Sequence, residues 1–173
     1  MSKIILLRGN SGSGKTVVAS ALQQKFGEGT LLISQDNVRM GMLNVEDGLD
    51  NESINLLINL VDYGNKNCNI TILEGILRAG IYKSLFKQVK ELFGDNVYAY
   101  YFDLTFEETI RRHRIRAQML NYDFGSHREQ EMKSWWLDKD YLDAICEKKI
   151  AENVEENEMI EMIYRDVIKS TAV

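Results

Sequence analysis

Residues 9–16 read GNSGSGKT, directly after the apolar run IILLR and directly before a stretch with helical spacing. Gly9, Gly14, Lys15 and Thr16 satisfy GxxxxGK(S/T), a pattern that fixes its own surroundings. A strand must deliver the loop, glycines must let successive backbone N–H groups curl into an anion-binding nest, and a helix must begin where the nest ends. Asn10, Ser11, Gly12 and Ser13 complete the nest, the Lys15 ammonium reaches the β and γ phosphates, and the Thr16 hydroxyl ligates magnesium. A chance match in one chain of ordinary composition is roughly one in a few hundred. The dinucleotide fingerprint GxGxxG fails, because Gly12 and Gly14 are followed by Val17 where the third glycine belongs. The expected cofactors are ATP and Mg.

The bulk numbers narrow the setting. With 173 residues the chain is one domain, 1–173. Hydrophobic residues make up 45% and charged residues 27%, and nothing approaches the ~20 consecutive apolar residues that span a bilayer. No membrane association is expected, and the short IILL run, unlike a signal-peptide core, leads to a cytoplasmic placement. A net charge of −5 argues against a nucleic-acid partner, since phosphate-backbone binding needs a basic face. Cys68 and Cys146 show neither disulfide nor zinc spacing and read as free, buried thiols.

Hydrophobic periodicity then alternates along the chain. Strands are expected at 3–8, 30–34, 69–73, 97–102 and, weakly, 148–151; helices at 15–26, 51–63, 80–93, 106–119 and 156–169. Such alternation means an α/β fold with a parallel sheet and helices on both faces. Thr105 with Glu108, and Ser126 with Glu129, match the capping-box pattern at helix starts.

Other residues bear on what the nucleotide is for. A guanine-reading NKxD segment is absent, NKNC at 65–68 lacking the aspartate. Asp36 follows the second strand, where its carboxylate is placed to face the γ-phosphate, take a proton from an acceptor hydroxyl and partner magnesium. Its competing reading is a helix N-cap in the run DNVR, which ends at Arg39. Glu74 ends the third strand, where an acid reaches magnesium through water or touches the acceptor. The run RRHRIR, 111–116, is the dense cationic cluster of an acidic protein. Glu107 and Glu108 stand four residues before Arg111 and Arg112 and explain those two locally. Arg114 and Arg116 lack an acid at that spacing, and Arg116 becomes the first candidate for a lid arginine. His113 reads as packed or solvated. Of Trp135 and Trp136, one is expected in the core.

Together GNSGSGKT, SQDNVR, ILEGILR, YFDLTFEETIRRHRIR and the paired tryptophans resemble the P-loop kinases of the zeta-toxin and chloramphenicol-phosphotransferase type, over 3–141. The resemblance implies a shikimate-kinase-like, three-layer P-loop NTPase fold whose five parallel strands run 2-3-1-4-5, with a small lid within about 112–130. It implies Lys15 and Thr16 as the phosphate and magnesium groups, and Asp36 as base. Arg39, Glu74 and Arg78 would join Asp36 in the acceptor pocket, and the lid arginines would be Arg112 and Arg116, so that it promotes the Arg112 that local pairing demotes. The leading expectation is an ATP-dependent phosphotransferase acting on a small-molecule hydroxyl, as a monomer or homodimer. A nucleotide-binding regulatory protein and a toxin-type nucleotide-sugar kinase are the alternatives.

Overall fold

The structure is a computed structural model that describes residues 2–169. The apolar run forms β1 (Lys3–Gly9), buried throughout. It is the middle strand of a parallel sheet with β2 (Thr30–Ser34), β3 (Ile70–Gly75), β4 (Val97–Asp103) and β5 (Glu147–Ala151), in the order β2-β3-β1-β4-β5. A strand with parallel neighbours on both edges and helices on both faces is apolar on both sides, so IILL shows no alternation. Its side chains still sort by parity. Ile4 and Leu6 join Leu57, Val61 and Val89 on one face; Ile5 and Leu7 join Val18, Leu22 and Ile163 on the other. Helices α2 (Ser53–Asn67) and α3 (Lys83–Phe93) cover the first face, α1 (Lys15–Phe26) and α6 (Glu156–Lys169) the second. The fold class and the strand order match expectation. Helices α4 (Phe106–Met119) and α5 (Ser126–Trp135) project from the end of the sheet that carries the P-loop. Among the described residues no helix is long and apolar enough to cross a membrane.

Several expectations are corrected. Helix α2 continues through Gly64 to Asn67 instead of stopping at residue 63. Gly64 is there for close approach: a Cβ would lie 2.3 Å from the Thr71 hydroxyl on β3. Helix α3 starts at Lys83, because 78–82 is a separate turn in which Ile81 and Tyr82 N–H both bond the Arg78 carbonyl at 3.0 Å. Thr105 caps α4 as expected, accepting from Glu108 N–H at 3.3 Å. Ser126 does not cap α5; it is the first helical residue, and extended Gly125 takes the cap position with its carbonyl accepting from Arg128 and Glu129. Asp36 is not a side-chain cap either. It has helical φ and ψ of −64° and −39° and leads into a single π-helical turn, Asn37–Met42. Both cysteines are free, but Cys146 is exposed and Cys68 half-buried.

Register places the chemistry. Leu7 lies opposite Glu74, and Glu74 opposite Ser34. The segments beyond these three residues therefore leave the sheet side by side.

At this edge Arg8 is completely buried. Its Nη1 donates to both Glu147 oxygens at 2.8 and 3.0 Å, and its Nη2 to the Asp140 carboxylate at 2.9 Å and the Asp140 carbonyl at 3.0 Å. Nε and Nη2 also hold the Leu77 carbonyl at 3.0 and 2.8 Å. The guanidinium lies against the rings of Phe86 and Tyr101, 5.1 and 5.7 Å from their centroids. Removing one partner of such a pair leaves a buried charge unmet, at a cost of about 3–5 kcal/mol. Arg8→Met should lower urea-unfolding stability by that amount, and Arg8→Met with Glu147→Leu should recover much of it. Equal losses in the single and double variants would show that packing, not charge, governs the position.

Candidate active site

The nest has the predicted backbone. Gly9, Gly12 and Gly14 have φ of 143°, 78° and 96°, which glycine adopts without strain. At Gly9 a Cβ would meet the Phe102 carbonyl of β4 at 2.8 Å, so the loop leaves the sheet tight against its neighbour strand. Asn10 acts through its side chain as a brace: its amide donates to the Leu137 carbonyl at 2.7 Å and accepts from Leu137 N–H at 3.1 Å.

Lys15 spans the nest, donating to the Asn10 carbonyl at 2.8 Å and to Ser13 Oγ at 3.1 Å. Burial lowers its ammonium to about 8; Glu74 and Asp36 oppose that shift, and Arg8 adds to it. Thr16, the next residue, donates its hydroxyl to Glu74 Oε2 at 3.2 Å, and Glu74 is buried at the end of β3. These hard oxygens fit magnesium, which takes one or two protein oxygens and fills its octahedron with water and phosphate. Thr16 would hold the ion, and Glu74 would orient its water. Asp36, assigned to magnesium from sequence, instead has an exposed carboxylate that accepts from Arg39 Nη2 at 3.2 Å.

The arginines divide between two places. Glu108 binds Arg111 and Arg112 together, at 2.6 and 2.7 Å, so the expected Glu107 to Arg111 pair gives way to one shared acid. Those two guanidinium groups, Arg111 first, hold Glu108 down to about 2 against the effect of burial. Arg112 also reaches the nest, donating to the Ser13 carbonyl at 3.0 Å. It lines a cavity of about 320 Å³ between Gly14, Phe102, Val154 and Met159. Arg114 pairs with Glu129 across to α5.

Arg116 makes no side-chain hydrogen bond or ion pair among the described residues, and it lines a second cavity of about 470 Å³ with His113, Tyr122 and Arg128. Arg128 was not singled out from sequence, and its Nη1 stands 3.4 Å from Glu131 Oε2. Like Arg116 it has no acid four residues before it, so the same spacing test points to it.

His113 is a packing residue of the nest. Its ring stacks on Phe124 with a centroid distance of 5.4 Å, its Nε2 lies 3.3 Å from Ser11 Oγ, and a Cβ on Gly12 would strike it at 2.4 Å. Burial, then the fields of Arg116, Arg128 and Lys15, push its proton affinity down and keep the ring neutral at pH 7. Trp136 packs edge-on against Phe106 at 5.2 Å, while Trp135 is exposed. A larger groove of about 520 Å³, between α3 and 142–145, contains none of the residues named for chemistry.

No protein-family model and no curated protein sequence matches the chain. Solved structures do. A gluconokinase from Sinorhizobium meliloti 1021 is 13% identical, with 97% of this chain and 93% of that one covered and a TM-score of 0.65. The APS kinase CysC of Mycobacterium tuberculosis, in complex with AMPPNP and APS, is 18% identical, with 97% and 98% covered and a TM-score of 0.65. Shikimate kinase from Acinetobacter baumannii, in complex with shikimate, is 14% identical, with 98% and 95% covered and a TM-score of 0.60. The chain has the fold of the P-loop kinases. At these identities the likeness is one of architecture, and function must be argued from the site.

Lys15 gives a test independent of turnover. A bound polyanion favours the charged ammonium, so its bound pKa lies above the free value of about 8. Binding should take up no proton from Lys15 well below that pH and approach one proton above it, with affinity falling up to about tenfold per pH unit between the two pKa values. ATP titration calorimetry in buffers of different ionisation enthalpy reads this uptake. Lys15→Met should abolish it, and equal uptake in that variant would assign the proton elsewhere.

Proposed function

We propose that the protein is an ATP- and magnesium-dependent phosphotransferase that moves the γ-phosphate to a hydroxyl of a small molecule. The observation that carries this reading is the meeting of Lys15, Thr16 and Glu74 at the ends of β1 and β3, with Asp36 leaving β2 beside them. A nucleotide store or switch needs the first two groups; an exposed carboxylate within electrostatic reach of the phosphate lysine is what transfer to an acceptor adds. The fold shared with a gluconokinase, an APS kinase and a shikimate kinase supports the reading.

In this scheme the nest N–H groups and Lys15 hold the β and γ phosphates, and Arg112 spans the nest and the cavity beside it. Magnesium, when bound, neutralises charge on the transferring group. Asp36, steadied by Arg39, orients the acceptor hydroxyl and receives its proton as the oxygen attacks in line. Arg116 and Arg128 supply positive charge from the lid as charge spreads over the phosphoryl oxygens.

With γ-labelled ATP, magnesium and pooled hydroxyl compounds, label should move to an acceptor. Asp36→Asn should cut transfer by roughly a hundredfold to ten-thousandfold and leave ATP affinity unchanged. Tight ATP binding with no acceptor-dependent turnover in any pool would favour a regulatory nucleotide-binding role. Glu74→Gln should raise the magnesium concentration needed for half-maximal rate while ATP affinity without metal stays the same.

A further inference from the structure

Past the π-helical turn Asn37–Met42 the chain crosses 43–52 and enters α2, and this segment lies over the two arginines of the proposed acceptor side. The Val45 carbonyl accepts from Arg39 Nη1 at 3.1 Å. The Asp47 carboxylate stands 3.7 Å from Arg78 Nε, beyond hydrogen-bond reach. Its other oxygen accepts from the Tyr82 hydroxyl at 2.7 Å, and that hydroxyl accepts from Gln35 Nε2 at 2.8 Å. Asp47, Tyr82 and Gln35 thus form one latch, with Tyr82 and Gln35 wholly buried.

Three polar atoms under this cover have no hydrogen-bond partner among the described residues: Arg39 Nε, Arg78 Nε and Gln35 Oε1. Unmet buried groups of this kind are costly, and a native structure has few. Two are cationic N–H donors that want an anion's oxygens. The third is an acceptor that wants a hydroxyl.

The segment is also built to move. Asn44 and Asp50 hold left-handed φ of 52° and 58° at its two ends, and the turn before it is π-helical. Leu43 and Leu49 are exposed along it, as are Met40 and Met42 in the turn before it, so little apolar burial holds it down.

We infer that 43–52 is the gate of the acceptor site, and that the acceptor carries an anionic group beside its hydroxyl which displaces Asp47 from Arg78. Asp47 is the chain's own stand-in for that group. Its fit to Arg78 is loose, and an acceptor anion that closes the gap gains two hydrogen-bonded guanidinium groups. The inference rests on the phosphotransferase reading for the hydroxyl, while the anion is argued from Arg39, Arg78 and Asp47 alone.

Inorganic phosphate is the probe, titrated by calorimetry with the P-loop filled by AMPPNP and magnesium. Only the binding lost in Arg78→Gln counts as acceptor-site binding. Asp47→Asn should tighten it about threefold or more, the scale of a partly exposed ion pair removed as competitor. Glu46→Gln, the same charge change on an exposed neighbour, should leave it unaltered. Unchanged affinity in Asp47→Asn, or an equal gain in Glu46→Gln, would overturn the gate. In transfer assays, hydroxy acids and sugar phosphates should accept label, and uncharged polyols of the same skeleton should not; label reaching only the uncharged set would overturn the anion. Phosphate binding needs no turnover, so it decides the point even where transfer fails.

Discussion

A guanidinium with no exposed surface must have its charge and its donors met inside the protein, and at Arg8 this requirement organises the whole edge of the sheet that carries the chemistry. The groups that meet it come from three distant stretches: Leu77 after β3, Asp140 in the segment beyond α5, and Glu147 at the start of β5. Each tie shapes something used nearby. Leu77 is held with a positive φ of 44°, unusual for a leucine, which turns the chain so that Arg78 follows. Asp140 also accepts from Ala79 N–H at 2.9 Å, fixing the turn before α3. Glu147 also accepts from Leu142 N–H at 2.8 Å. Arg8 itself immediately precedes Gly9, so the nest starts from an anchored residue.

Around that anchor the protein solves an electrostatic problem. The chain is acidic, with a net charge of −5, and yet the proposed substrates are anions. Charge is therefore concentrated locally: Lys15 in the nest, Arg112 beside it, Arg116 with Arg128 in the proposed lid, Arg39 with Arg78 on the proposed acceptor side. Burial makes Lys15 costly and therefore effective, because an anion that reaches it meets little competing water, whereas Arg116 and Arg128 stand exposed. Neutral His113 fills the space above Gly12 without adding to the repulsion among them.

Local physics made much of this legible in sequence. The nest, the element alternation and the bounds of α1, β2, α4 and α6 follow from glycine spacing and hydrophobic period. Strand order does not, since nothing in the strand sequences says which strand neighbours which, and it came from the resemblance. Arg8 gave no signal, because a cation after IILL looks like the edge of a loop and its three partners lie 69 to 139 positions away. Arg128 was within reach of the test that picked Arg116. The choice of Glu108 over Glu107, and of Gly125 over Ser126, depended on packing directions that spacing cannot resolve. The segment 43–52 has no period at all, and its meaning appears only when Asp47 meets Tyr82 and Arg78.

The brace between Asn10 and Leu137 closes over 127 positions, and the Arg8 to Glu147 pair over 139. Chain emerging from a ribosome makes the P-loop first and its supports last. Until residues 137–147 have been synthesised, Asn10 has nothing to grip and Arg8 lacks both of its carboxylate partners. Closing such long loops is slow relative to local structure. The proposed nucleotide site therefore takes its final form near the end of biogenesis, so that a truncated or half-made chain presents no finished anion cradle.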